Sequence, residues 1–474
     1  MTPGEHVAQQ ITDRYRMLSP ASARACKAAA RSLPGGDTRT MTAYTPHPLY
    51  LSCGEGAKVQ DLDGRWYDDM VANYGALTHG HSHQALIQAV CDQVQQGTAL
   101  GGPSTLQYQH AELLRARVPA LERLRYCNSG TEATMWAIRA ARAFTDRDIV
   151  LKIDGGYHGT HDWGHVSAVM PGGRSQSQLL PDLPPANLAP GVPADVLNSV
   201  VAVPYNDADA VADVLHRLRG RVAGMIVEPV LGVGGGVPAL PGYLEEVRRL
   251  TEREGVVLIF DECATFRLGP WQAKHQVRPD LSTFSKIVGG GLPIGVFGGR
   301  KEIMAIFDPN QPLPVYHASA FGGNSLSLAA GIAALQTFGA AEIAHLDRLG
   351  DRLRSGLDAA ARTAEIRGCA VGEGGISYFH FGSSVPRDSA ATAAARRGRE
   401  GLRALMHLHL LNEGFLTARH GLMCQHIVTE EHVVDAFADA FAGALRLLHP
   451  YISEHHPDLL LGGLRAAPND EAIR

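Results

Sequence analysis

The chain has 474 residues, and 43 Lys plus Arg against 48 Asp plus Glu leave a net charge of −5. This balance offers no basic surface for nucleic acid or anionic membrane. With 45% apolar and 19% charged residues the chain can bury a sizeable core, which excludes wholesale disorder.

Residues 6–31 read as a polar helix with Glu5, Asp13 and Arg14 near its start, not as a secretory leader. A strand-and-turn region around Asp61–Arg65 follows. His79-Gly80-His81-Ser82-His83 has a spacing that suits one face of a strand. No second His or Cys group stands at a diagnostic distance, so a structural role is expected and no metal ligand is assigned. The seven cysteines form no CxxC pair, so neither a disulfide framework nor a zinc site is indicated. No apolar run approaches the ~18 residues of a membrane span; a soluble, cytoplasmic protein is expected.

The middle of the chain alternates short apolar runs with helical patterns, the mark of a mostly parallel sheet covered by helices. Leu124–Cys127, Ile149–Ile153, Val222–Val227, Val256–Phe260 and Leu281–Phe284 read as strands, and Ala133–Phe144 and Leu244–Glu254 as helices. Pro171–Pro193 reads as a long surface loop, of the kind that serves as a lid or binding element. From about Gly331 the pattern runs helix, strand (Ile376–Phe381), then helices again, with His407 and His409 in an ordinary amphipathic helix. That predicts a smaller α+β domain, ending in a tail from Gly462 to Arg474. Gly232–Gly236 leads into Val237-Pro238 and not into a helix, so it is no dinucleotide fingerprint.

Four features carry chemistry. Asn128-Ser129-Gly130-Thr131-Glu132-Ala133 joins a strand to a helix, and Ser129 with Glu132 fits a capping box. On this stretch alone two readings stay open: a capped helix, or backbone N–H groups and hydroxyls arranged as a phosphate cradle. Tyr157-His158-Gly159 follows a strand end, where an aromatic ring can cover a planar cofactor or simply pack. Asp261 and Glu228 end successive apolar strands, the position where ligands bind in open α/β sheets. Lys286 follows the strand Leu281–Phe284 and precedes Gly289-Gly290-Gly291; a Lys desolvated there suits Schiff-base chemistry.

Taken together these are the parts of a pyridoxal 5′-phosphate site. The chain resembles the class III, fold type I aminotransferases, in the group holding glutamate-1-semialdehyde aminomutase and the β-amino-acid aminotransferases. The matching stretches also include Asp63-Gly64, Gly80-His81, Val203–Asp207, Glu228-Pro229, Asp261-Glu262, Thr265-Phe266-Arg267, Pro279-Asp280-Leu281 and Gly298-Gly299-Arg300. The resemblance implies a large domain with a mostly parallel seven-stranded sheet covered by helices, plus a smaller α+β domain. Residues 1–75 would pack with the small domain, 76–330 would form the large cofactor-binding domain and 331–474 the small one. Lys286 would hold the cofactor and shuttle a proton, and Asp261 would keep the pyridine nitrogen protonated. Ser129, Gly130 and Thr131 would bind the phosphate, Tyr157 would stack on the ring, and Glu228 would support from behind. A homodimer with shared active sites is implied.

The sequence departs from that pattern in places. Ala320 stands where the family usually has a Thr whose hydroxyl reaches the phosphate held by the neighbouring subunit, and Cys263 replaces the usual Val behind the ring. Arg39 matches an Arg that binds a substrate carboxylate in β-amino-acid aminotransferases, a role suited to bidentate pairing; a surface ion pair is the other reading. Arg419 lies one residue from a second such Arg, and Asn73 and Tyr74 fall in the pocket-lining stretch. The expected function is an aminotransferase moving an amino group from an amino acid or amine, including a β-amino acid, to a keto acid or aldehyde. The alternative is an aminomutase of the glutamate-1-semialdehyde 2,1 type. A non-catalytic relative would have lost Lys286, and a nicotinamide enzyme would need a strand–GxGxxG–helix unit, which the sequence lacks.

Overall fold

The computed structural model describes residues 1–168 and 174–461. Its centre is a seven-stranded sheet, whose strands in chain order are β1 (Arg123–Cys127), β2 (Ile149–Ile153), β3 (Val200–Val203), β4 (Val222–Val227), β5 (Val257–Asp261), β6 (Leu281–Ser285) and β7 (Gly295–Gly299). They lie side by side as β1-β7-β6-β5-β4-β2-β3. Strand β7 runs antiparallel to β6 and β1, and the pairings among β6, β5, β4, β2 and β3 are parallel. β2, β3, β4 and β5 are buried at every position, as their apolar runs, interrupted only by Lys152 and closed by Asp261, require in a sheet covered on both faces. Glycine sets the fit at one edge: a Cβ on Gly295 would meet the Ser129 carbonyl oxygen at 2.1 Å. Gly295 therefore serves strand packing and not a turn.

Helices Gly130–Thr145 and Tyr243–Arg253 cover this sheet with the faces that carry Ala137, Ile138, Leu244 and Val247. A second apolar cluster joins the two ends of the chain. In it Val7, Ile11 and Tyr15 of helix Pro3–Leu18 meet Leu402, Leu405, Leu445 and Leu448 of helices Glu400–Asn412 and Glu431–His455. The segments Leu51–Glu55, Lys58–Asp61 and Trp66–Asp69 form an antiparallel meander, on whose edge Phe415–Leu416 pairs in parallel.

The helix expected over 6–31 is two helices, Pro3–Leu18 and Pro20–Ala29. Pro20 lacks the N–H that a continuous helix needs and instead occupies a first helical position. The helix expected from Ala133 starts three residues earlier, at Gly130, because Ser129 caps it. The stretch expected as the loop Pro171–Pro193 carries a small hairpin, Arg174–Gln176 with Ala186–Leu188; its first three residues and the expected tail from Gly462 lie outside the described residues. No single described helix is long and apolar enough to cross a membrane.

Candidate active site

Five strand ends converge. Asn128 and Ser129 follow β1, Tyr157 follows β2, Glu228 follows β4, Asp261 ends β5 and Lys286 follows β6, all at the carboxyl edge of the parallel strands, where open α/β sheets bind ligands. Ser129 caps helix Gly130–Thr145, its hydroxyl accepting from the Glu132 N–H at 3.2 Å. The expected capping box closes differently: the Glu132 carboxylate accepts from the Asn128 N–H at 3.0 Å, one residue before the cap. The first-turn N–H groups of Gly130 and Thr131 have no acceptor within the helix, so they face outward with the positive end of the helix dipole. The Thr131 hydroxyl accepts from the Thr160 N–H. Gly159, at φ +87°, lies so close that a Cβ there would meet Thr131 Cα at 2.5 Å.

Asp261 is 4% exposed. One carboxylate oxygen accepts from His158 Nδ1 at 2.8 Å, and the other accepts from the Thr283 hydroxyl at 2.9 Å and the Cys263 N–H at 3.1 Å. Burial opposes its ionisation, but the His158 contact and the Cys263 N–H outweigh burial and hold the carboxyl below its usual range. Glu228 shows the opposite balance. It accepts from the Tyr157 and Gly232 N–H groups, yet burial and the Asp261 charge push it up to about 8. Burial and then the Asp261 charge also raise the Cys263 thiol well above its ordinary value, so this cysteine stays neutral behind the site. Lys286 sits at φ +57°, rare for a side chain of its size. Its ammonium is near enough to Glu228, Cys263 and Cys424 to favour their charged forms.

Glu228 makes stability depend on pH. Its unfolded-state value is about 4.3, so between there and about 8 the folded state holds the extra proton and stability falls as pH rises, on the order of 1 kcal/mol per pH unit. Buried Glu262, also raised to about 8, contributes in the same direction. In Glu228→Gln this contribution is gone, so the slope of thermal stability against pH over that range should be less negative than in the wild type. A variant with the unaltered slope would show that Glu228 ionises normally.

A second group of expected residues lines a cavity of about 520 Å³: Arg39, Asn73, Tyr74 and Arg419. Ala72, Asn73 and Tyr74 all take positive φ, 50°, 45° and 58°, and with Gly75 make one left-handed turn. Asp69 holds this turn by accepting from the Val71 and Ala72 N–H groups at 2.8 and 3.0 Å. Such backbone costs roughly 1–3 kcal/mol per residue and gathers at binding sites. Arg39 donates to Asn73 Oδ1 at 2.9 Å and its guanidinium lies 5.9 Å from the Tyr74 ring centre; among the described residues it has no carboxylate partner. The Tyr74 ring stacks on His420 at 5.5 Å. Leu77, also in the lining, packs against the glycine turn after Lys286, where a Cβ on Gly291 would meet it at 2.5 Å.

The residues expected at the cofactor thus come together at the strand ends, and those expected at the substrate share the neighbouring cavity. Sequence reasoning missed His158 and Thr283, which hold Asp261, and His426. His426 Nε2 and His81 Nε2 lie 3.4 and 2.8 Å from the same Asp69 oxygen. The histidine stretch therefore divides: His81 turns to Asp69, whereas His79 meets the Thr337 hydroxyl at 3.1 Å. Ala320 is exposed, and its neighbour Ser319 accepts from Asn128 Nδ2 at 2.8 Å beside the helix cap.

This strand order, with polar and titratable groups gathered at five strand ends, is that of a fold type I transferase of the pyridoxal phosphate-dependent class. Residues 41–440 match the model of the class-III aminotransferases, and the chain belongs to that family. It is 40% identical over 367 residues to glutamate-1-semialdehyde 2,1-aminomutase 2 of Halalkalibacterium halodurans, covering 76% of this chain and 83% of that one. Its fold is similar to an omega-transaminase from Sphaerobacter thermophilus, with a TM-score of 0.85 and 36% identity over 90% of this chain and 98% of that one. A β-phenylalanine aminotransferase from Variovorax paradoxus gives a TM-score of 0.84 and 32% identity over 96% and 99%.

Proposed function

We propose that the protein is a pyridoxal phosphate-dependent enzyme that relocates an amino group on a carboxylate-bearing substrate, and that it does so as an aminomutase of the glutamate-1-semialdehyde 2,1 type. The observation that carries the reaction class is the meeting of Lys286, Asp261 and the N-terminus of helix Gly130–Thr145 at one sheet edge. The donor set fits the cofactor: an amine, an ionised carboxyl held by His158 and Thr283, and outward N–H groups for a phosphate. When bound, pyridoxal phosphate supplies the electron sink that makes a C–H bond next to nitrogen acidic. The chain's own part is to bind and to move protons. Ser129, Gly130 and Thr131 hold the phosphate, Tyr157 covers the ring, and Glu228 fixes the Tyr157 backbone. Asp261 keeps a proton on the ring nitrogen. Lys286 would secure the cofactor through its amine and would be the group that moves the substrate proton. Arg39 anchors the substrate carboxylate, with Tyr74 and Arg419 beside it.

Support for the aminomutase comes from the 40% identical relative, whose name further relatives at 36–40% identity share. The sequence reading placed an intermolecular aminotransferase first, and that becomes the second reading. It is favoured by the two transaminase structures, which match 90% and 96% of this chain. The two readings separate in one experiment. Purified holoenzyme is given glutamate-1-semialdehyde alone and followed by NMR. An aminomutase yields the isomer with nitrogen on carbon 1 with no acceptor added. An intermolecular transaminase instead uses the aldehyde of a second substrate molecule as acceptor and gives dioxo and diamino products in equal amounts in place of the isomer. No change in the cofactor's absorption with any amino donor would remove both readings.

We also infer a homodimer. Leu313, Tyr316 and Phe321 are 92%, 85% and 61% exposed on the segment that bears Ala320, next to Ser319 and the helix cap. Apolar side chains this exposed and this close together mark a contact surface. Light scattering should give twice the chain mass for the wild type and the single mass for the double variant Leu313→Asp, Tyr316→Asp. A monomeric wild type would overturn the inference.

A further inference from the structure

Asp69 faces two imidazoles that come from distant parts of the chain. Its Oδ2 lies 2.8 Å from His81 Nε2 and 3.4 Å from His426 Nε2, and the three atoms all stand within 4.8 Å of one another. His426 is fully buried, yet its Nε2 has no hydrogen-bond partner, because the approach to Asp69 does not make one. The other ring nitrogen, Nδ1, lies 2.6 Å from the Leu77 carbonyl oxygen. A carbonyl only accepts, so Nδ1 carries the proton, and in the neutral ring the lone pair sits on Nε2. A lone pair and a carboxylate then face each other out of water, a costly arrangement with no cation between them. A second proton on His426 is the other remedy, but it would leave Nε2 a donor without a well-placed acceptor.

We propose that Asp69, His81 and His426 form a site for one divalent transition-metal ion such as zinc. The distances suit it, since donor atoms around an ion with bonds of about 2.0–2.1 Å stand roughly 2.9–3.4 Å apart. Two imidazoles and one carboxylate are a donor set for zinc, cobalt or nickel, whereas calcium and magnesium take oxygen. The atoms behind the donors are also placed as metal sites place them. His426 Nδ1 donates to the Leu77 carbonyl, and the second Asp69 oxygen accepts from the Val71 and Ala72 N–H groups. Arg267 lies within charge range of Asp69 but forms no ion pair with it among the described residues. Asp69 and His81 line the Arg39 cavity, so the ion's remaining position opens toward it. The ion joins the segment Trp66–Asp69, the Gly80-His81 turn and the loop after Met423–Cys424. It thereby clamps the left-handed turn that carries Asn73 and Tyr74. The site goes beyond the amino-transfer reading and does not depend on it.

The test starts from wild-type holoenzyme, stripped with EDTA and titrated with zinc chloride by calorimetry. One ion per chain is expected. His81→Gln and, separately, His426→Gln should each weaken zinc binding at least about 100-fold, since losing a group behind a ligand already costs roughly 10- to 100-fold. Cobalt in place of zinc should add visible d–d bands without a thiolate charge-transfer band, in difference spectra against cobalt-free holoenzyme. Removing the ion should raise KM about tenfold with less effect on kcat, the order of the strain held in one left-handed residue, and zinc should restore it. A wild type that binds neither zinc nor cobalt would overturn the proposal. So would zinc retained in full by both variants, which would put the ion on the cofactor phosphate or on surface histidines. A thiolate band would put it on a cysteine and overturn the proposal as well. A KM indifferent to the ion would overturn its role as a clamp. The cobalt spectrum of wild type needs no variant, so a misfolded variant leaves the test standing. The zinc count also stands if the protein transfers no amino group; only the KM measurement depends on that reading.

Discussion

Lys286→Ala is expected to lower turnover by about 10⁴-fold, at the upper end of what a positioned acid–base group contributes, and to abolish covalent attachment of the cofactor. Reduction of wild-type holoenzyme with borohydride should fix one cofactor per chain, visible by mass spectrometry, and the variant should fix none. The structure makes this a pointed test because it contains a rival amine. Lys152 is 1% exposed, and burial lowers it to about 8, the property usually sought in a lysine that forms covalent links. Its ammonium, however, donates to the carbonyls of Gly156, Gly164 and Val166, which uses all three of its protons on the loop that presents Tyr157 and His158. Lys286 has no such fixed partners among the described residues, and it lies within charge range of Glu228. Lys152→Met should therefore lower the unfolding temperature, by the equivalent of about 3 kcal/mol or more for three carbonyls left unpaired, while keeping the covalent cofactor. Cofactor that remains attached in Lys286→Ala and is lost in Lys152→Met would transfer the role to Lys152.

The contrast between these two lysines shows what was legible in the sequence. Lys286 follows an apolar run and precedes three glycines, so its place at a strand end could be read directly, and the same holds for Asp261 and Glu228. Their relation to one another could be read too, because parallel strands with short apolar runs all end on one edge. What could not be read is any contact between separate strand ends. His158, just after β2, and Thr283 of β6 hold Asp261; the Tyr157-His158-Gly159 stretch points to a ring at a strand end but not to an imidazole reaching Asp261, and Thr283 sits in an apolar strand with no sign of its partner. The left-handed turn at Ala72–Tyr74 contains no glycine before Gly75 and so gives no sign of its conformation; it exists because Asp69 pins its N–H groups from the preceding strand. Arg396 and Arg403 stand on separate helices, and only the tertiary fold turns them toward a common cavity. The break at Pro20 was visible, but the helical periodicity on both sides of it outweighed one proline.

Asp261→Asn is the other substitution with a large expected effect, and its consequences reach beyond activity. The carboxylate is a fixed negative charge buried among groups that respond to it. It stands second only to burial in raising Glu228, Tyr157 and the Cys263 thiol. Removing it should reduce turnover by about 10²- to 10³-fold, the usual cost of deleting one preorganised electrostatic partner. It should also let Glu228 ionise at lower pH, and make the Cys263 thiol more acidic. The thiol gives the clean readout, since thiolate and not thiol is the nucleophile. In the variant, alkylation of Cys263 at neutral pH should speed up relative to wild type, while exposed Cys53 and Cys91 react as before and serve as internal controls. The asparagine keeps the shape and still offers an oxygen to the Thr283 hydroxyl and the Cys263 N–H, so a collapsed fold is not the expected result; an unchanged far-ultraviolet spectrum checks this. An asparagine variant with wild-type turnover and unchanged Cys263 reactivity would mean that His158 already neutralises the carboxylate, and that the charge needed at the ring nitrogen comes from elsewhere.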